Sequence, residues 1–298
     1  MMPVPAKLSS TLNTNTRKAY NNYKLHARFT SVITHIVLLV GGILWMYPFL
    51  WTLGSSFKSV NGFFDEGLNV FPKEFLWSNY TEAWNEASFG QFFFNTIFTT
   101  VATVLLTLLV TSMAGYVLAR TAFPGKRLLL GLIAVTLFLP HGYTIIPVFD
   151  IIQKLGLLNT LWSIIIVQTA GGVVFSTFLF VGYFSSIDRA LEDAARVDGA
   201  SFHQLFWNVM LPLSGPMLAT VALFTFISAW NSFLIPLVFT LGQPELQTLA
   251  VGMFAFIGQN STQWTYLCAG SVITLAPIML VFILLQRYFI NGVAGAIK

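Results

Sequence analysis

Six long stretches without a single Asp, Glu, Lys or Arg decide what this chain can fold into, and they fall at 30–54, 92–118, 128–148, 162–184, 216–239 and 266–286. A bilayer core of about 30 Å is crossed by a helix of about 20 mostly apolar residues, and each stretch meets that length. Charged residues make up 9% of the chain, against roughly 25% in soluble domains. The sequence therefore predicts an all-α integral membrane protein of about six transmembrane helices. It has an N-terminal arm at 1–29, a membrane domain at 30–290 and a C-terminal tail at 291–298. The first stretch follows a polar arm, is too long for a signal peptide and lacks a small-residue cleavage pattern, so the mature protein is expected to keep it.

Cytoplasmic loops collect Lys and Arg, which sets the orientation. With the N-terminus inside, Lys7, Arg17, Lys18, Lys24, Arg28, Arg120, Lys126, Arg127, Arg189, Arg196, Arg287 and Lys298 are internal, and Lys58, Lys73 and Lys154 external. That split, twelve of the fifteen basic residues inside, predicts both termini in the cytoplasm. Topology then accounts for the net charge of +4, with no nucleic-acid partner required. The one cysteine, Cys268, excludes an intrachain disulfide and a multi-cysteine metal site, and is expected to be a small packing residue.

Two outer connections, 55–91 and 240–265, are substantial, and Trp77, Tyr80 and Trp84 in the first are expected as interfacial anchors and loop packing. The inner segment 185–215 is polar yet reads as helical. Ser185 can cap a helix with Asp188 three residues on, and Glu192 and Arg196 share a face at i, i+4. Gly199 then permits a sharp turn. A short amphipathic stretch at 202–209 follows, and Pro212 is placed to begin the fifth membrane helix. Helix, glycine turn and helix make a knob projecting into the cytoplasm.

Within that knob, Asp193, Ala194, Ala195, Gly199, Val209, Leu211 and Pro212 keep a fixed spacing: three residues precede the glycine and nine follow it. The pattern resembles the cytoplasmic signature loop of ABC importer permeases, with Asp193 in place of the usual glutamate and Glu192 just before it. The resemblance runs along nearly the whole chain. It is nearest to maltose-type carbohydrate permeases, in particular the smaller of the two partner subunits, through Ala119-Arg120, Gly125-Lys126-Arg127, residues 156–160, Trp230-Asn231 and the end from Gly292 to Lys298.

The resemblance implies a multi-pass bacterial inner-membrane subunit whose coupling helix, between helices 4 and 5, docks on an ATPase through Glu192, Asp193, Ala194, Ala195, Arg196, Asp198 and Gly199. It also implies that Gly292, Gly295, Ala296 and Lys298 of the tail reach the same partner; the glycines suit an extended or tightly turned strand. The implied assembly is a heterodimer with a second permease, two ATP-binding subunits holding ATP and Mg, and an extracytoplasmic sugar-binding protein. The solute is a sugar, an oligosaccharide by preference, with another organic solute such as glycerol phosphate as the alternative.

The remaining residues agree with an external energy source. Intramembrane ionisable groups, the usual mark of ion-coupled carriers, are limited to His35 and His141, both expected to pack rather than relay protons, and Asp150 lies at the outer end of helix three. No phosphate-binding G-x-x-x-x-G-K-[ST] loop occurs, so the chain should bind no cofactor and hydrolyse no ATP itself. No catalytic or metal-ligating constellation stands out, so an enzyme is not expected. Prolines in helices three and five mark the flexible elements of a translocation path. Trp230 and Asn231, just ahead of Pro236, are the candidate sugar contacts within it, although packing and hydrogen bonding between helices is the stronger expectation for both, and the resemblance allows the sugar site to lie mainly in the other permease.

Overall fold

The computed structural model describes residues 14–86, 88–138, 142, 144–257 and 262–296. In chain order the helices are α1 (Thr14–Ser55), α2 (Val60–Asp65), α3 (Ser78–Glu86), α4 (Phe89–Arg120), α5 (Lys126–Thr136), α6 (Ile145–Lys154), α7 (Leu161–Ser186), α8 (Arg189–Val197) and α9 (Phe202–Gln204). A π-helical turn, Leu205–Met210, leads into α10 (Leu211–Leu213), α11 (Gly215–Trp230), α12 (Leu234–Phe239), α13 (Leu249–Gly252) and α14 (Trp264–Ala296). Among the described residues there is no sheet, only an isolated bridge between Ile257 and Thr262. Backbone groups in a bilayer must be satisfied within the segment, and helices do this.

Among the described residues four helical segments are long and apolar enough to span a membrane: Phe29–Ser55, Phe89–Arg120, Leu161–Ser186 and Trp264–Gln286. The pair Phe202–Leu213 and Gly215–Trp230, bent by 75°, makes a fifth if counted as one span. Two expected helices are interrupted. The stretch 128–148 is divided between α5 and α6, with Gly142 at φ +104° between them and Pro147 in the first turn of α6. The stretch 216–239 stops at Trp230 and resumes at Leu234. Pro236 explains the second break, because it has no N–H to give Ser232 and its ring would meet that carbonyl. Pro140 and His141 lie outside the described residues.

The central packing joins α4 to α7 along a stripe of small polar residues. Thr96, Thr99, Thr103, Thr107, Thr111 and Gly115 recur at three- and four-residue spacing and are buried. Short side chains let helix backbones approach closely. Thr96, Thr99 and Thr111 each return their hydroxyl to the carbonyl four residues back, at 2.7, 2.8 and 2.6 Å, so burial leaves those groups satisfied. At Gly115 the approach is tightest, since a Cβ there would sit 2.4 Å from that of Phe180.

Apolar clusters close both ends of α4. One gathers Phe89, Trp230, Leu249 and Phe256, the other Tyr116, Phe180, Phe184, Phe206 and Met210. The segment 55–91 is likewise internally packed: the buried Lys58 Nζ donates to Asn69 O at 2.7 Å and lies 3.6 Å from Glu66 Oε2. Trp77 stands edge-on to Phe57 at 4.7 Å. The tail departs from the expected strand: the backbone stays helical through Ala296, carrying Gly292 and Gly295 within α14. Extending an existing helix adds a hydrogen bond per residue fixed, which outweighs glycine's modest preference against it. Lys298 lies outside the described residues.

Candidate functional site

Between α7 and α11 the chain leaves the apolar bundle to build the polar knob. Asp188, not Ser185, is the cap of α8: its carboxylate accepts from Ala190 N at 3.0 Å, while Ser185 is still inside α7. Gly199 takes φ +86° and its N–H donates to Arg196 O at 3.0 Å, turning the chain sharply. No atom lies within 4 Å of where its Cβ would be, so backbone conformation alone, not space, selects glycine. Ser201 and Gln204 form a reciprocal capping box that starts α9.

The two neighbouring carboxylates of α8 have different surroundings. Glu192 points inward and is 4% exposed, with Oε1 2.5 Å from Arg120 Nε at the end of α4 and Oε2 3.8 Å from Arg196. Arg120 Nη2 also donates to Ile187 O at 2.7 Å. Asp193 is exposed, as are Ala194, Arg196, Asp198 and Gly199, with Ala195 half-buried. Val197, an aliphatic side chain on this polar face, is 89% exposed. Glu192 is thus an internal fastening, whereas its neighbours Leu191 and Asp193 face outward.

The two candidate sugar contacts both bond within the helix bundle. Trp230 is 1% exposed; its Nε1 donates to Thr274 O at 3.1 Å and its ring stacks on Phe226 at 5.3 Å. It is a core residue, and Trp230→Ala should destabilise the purified protein by about 3–5 kcal/mol, the usual cost of emptying a packed aromatic site. Thermal unfolding in detergent measures this; an unchanged midpoint contradicts it. Asn231 turns back to bond Ile227 O at 2.8 Å, closing the end of α11.

The opposite face of α11 lines a cavity of about 480 Å³ shared with α4 and α7. Thr103, Gln168, Phe175, Ser176, Phe224 and Ser228 contribute to it, and no lining residue is charged. Thr103 Oγ1 donates to Gln168 Oε1 at 3.2 Å. The Nε2 group of Gln168, shielded from solvent, meets no acceptor among the described residues. Phe175 and Phe224 approach edge to face at 6.4 Å. Such a surface offers hydroxyl and amide groups beside aromatic faces, the chemistry that holds a neutral polar solute. A recess of similar size near His35 is walled by α1 alone.

The family model described as binding-protein-dependent transport system inner membrane component matches residues 111–295, from the last turns of α4 through α7, the knob and α11 to α14. The chain belongs to this family. It is a multi-pass membrane permease subunit. It is 34% identical to the diacetylchitobiose uptake system permease NgcG of Streptomyces coelicolor, over 89% of this chain and 87% of that one. It is 29% identical to the sn-glycerol-3-phosphate transport permease UgpE of Yersinia enterocolitica, over 91% and 98%. A solved bacterial ABC transporter involved in import of the acidic polysaccharide alginate contains a chain with 27% identity and a TM-score of 0.77, covering 88% of this permease and 97% of that chain.

For this permease the cavity was the part that sequence reading missed. Its signal was present: Gln168, Gly171, Gly172 and Ser176 on α7, and Thr225 and Ser228 on α11 with Ser232 just beyond its end, recur at helical spacing as small or polar positions in an apolar stretch. Trp230 and Asn231 drew attention by residue type, whereas their neighbours two and one positions away face the cavity.

Proposed function

We propose that this chain is one of two permeases of an ATP-driven importer for a neutral sugar, an oligosaccharide by preference, delivered by an extracytoplasmic binding protein. One observation carries the reading: the helices joined by the knob, α7 and α11, are two of the three that wall the uncharged cavity. Moving the knob therefore moves the walls. The exposed face from Asp193 to Gly199 is the docking surface for an ATP-binding subunit, with α8 as the coupling helix. ATP and Mg reside on a pair of those subunits. Nucleotide binding draws the knobs of the two permeases together and opens the path outward; hydrolysis resets it.

The six crossings of this reading are α1, α4, the broken pair α5 and α6, α7, α11 with α12, and α14. Both termini are cytoplasmic, supported by the excess of Lys and Arg on that side. The cavity's chemistry separates the solutes: Ser, Thr and Gln hydroxyl and amide groups beside Phe175 and Phe224 suit a sugar ring, whereas a phosphate ester calls for Arg, Lys or a helix N-terminus. An ion-coupled carrier would place a titratable group there.

The test is ATP hydrolysis by the assembled complex in lipid nanodiscs, with binding protein, over neutral oligosaccharides, uronic-acid oligomers and glycerol phosphate. Stimulation by a neutral oligosaccharide is the expected result. Stimulation by glycerol phosphate alone, or failure of any ATP-binding subunit to co-purify, would refute the assignment.

A further inference from the structure

Chain continuity ties the knob to α7 and α11, but nothing covalent ties it to α4, the third cavity wall. Left to the backbone, α8 would hinge at Ile187 and Gly199 and slip past α4. Three contacts oppose that. The Arg120–Glu192 ion pair joins α4 to α8, with both side chains 5% exposed. Arg120 Nη2 donates to Ile187 O, at the entry to the knob, at 2.7 Å. One turn earlier on α4, the Tyr116 ring lies 5.1 Å from Phe202 and 5.4 Å from Phe206, on the exit side of the knob.

We infer that Arg120 and Glu192 are positioning residues that couple the knob to α4, so that all three cavity walls move as one body when the knob is displaced. The inference rests on the permease reading above. Arg120 Nε is not aligned to donate a hydrogen bond to Glu192 Oε1, so charge attraction in a site nearly closed to water holds the contact. Little solvent reaches the pair to screen it. From Arg120 the rigid helix α4 runs seventeen residues back to Thr103, which lines the cavity and bonds Gln168. At 1.5 Å per residue this is a lever of about 25 Å between the knob and the solute path. Glu192 therefore works through Arg120 and α4, not by meeting the ATP-binding subunit.

The experiment compares solute moved per ATP hydrolysed, by the full complex in proteoliposomes, for wild type, Glu192→Gln and the double variant Arg120→Met/Glu192→Met. The double variant removes both charges at similar volume, so it leaves no buried charge unpaired should the single substitution fail to assemble. The expected result is an assembled complex in which solute moved per ATP falls about tenfold, within the range of coupling free energies between linked sites. A purely structural pair would lower the yield of complex and leave that ratio unchanged. An unchanged ratio in the double variant overturns the inference, as does failure of both variants to assemble. If wild type itself shows no ATP-dependent uptake, the permease reading fails instead, so the two failures are distinguishable.

Discussion

In complexes carrying Gly199→Pro, solute-stimulated ATP hydrolysis falls more than about tenfold while the permease still inserts and binds its partners. Gly199 sits at φ +86°, and proline is confined near −65°, so the turn after α8 cannot form. The substitution also removes the N–H that meets Arg196 O at 3.0 Å. Together these cost about 3 kcal/mol or more locally, and the chain relieves the strain by turning α8 away from the π-helical turn. The membrane helices, packed along the buried threonines of α4 from Thr96 to Thr107, have no reason to unfold. Gly199→Ala is the graded companion: its left-handed strain is about 1–2 kcal/mol and should lower stimulation partially. Stimulation undiminished in the proline variant removes the docking role from this loop.

Gln168→Leu should raise the solute concentration needed for half-maximal uptake about 5- to 150-fold, equivalent to about 1–3 kcal/mol for a solute acceptor left unpaired once the amide donor is removed. The substitution keeps most of the side-chain volume and deletes the amide whose Nε2 faces no protein acceptor among the described residues. Ser228→Trp, on the facing helix, tests space instead of chemistry by filling the 480 Å³ cavity. It should stop uptake while ATP hydrolysis by the complex persists. Asn231→Ala is the contrast, because Asn231 bonds its own helix and lines no part of the cavity; its half-maximal concentration should stay within about twofold of wild type, as for surface substitutions outside special sites. Uptake through Ser228→Trp at the wild-type rate, or an effect of Asn231→Ala larger than that of Gln168→Leu, would place the path elsewhere.

These variants also mark where sequence and structure part. The helix and glycine turn that carry Asp193, Ala194, Ala195 and Gly199 were legible because they are local: a turn needs its glycine at one position, and a helix face repeats every three or four residues. The adjacent carboxylates were not distinguishable that way. Glu192 and Asp193 differ by about 100° around α8, and which one turns inward depends on Arg120, 72 positions earlier in the chain. Trp230 poses the same problem in reverse: a tryptophan suits a sugar face as well as a core, and only Thr274 O and Phe226 decide between them.

By itself the sequence determined the solvent, the helical class and the local shape of the knob. Uncharged runs of membrane length, backbone groups that must bond within their own segment, and a glycine in a left-handed turn are properties of neighbouring residues. Tertiary structure alone decided that Glu192 faces α4 and that Ser228 rather than Trp230 borders the cavity. The reason is geometric. A cavity or a buried ion pair is made where helices from distant parts of the chain meet, and the rotation of each helix about its own axis is set by what packs against it.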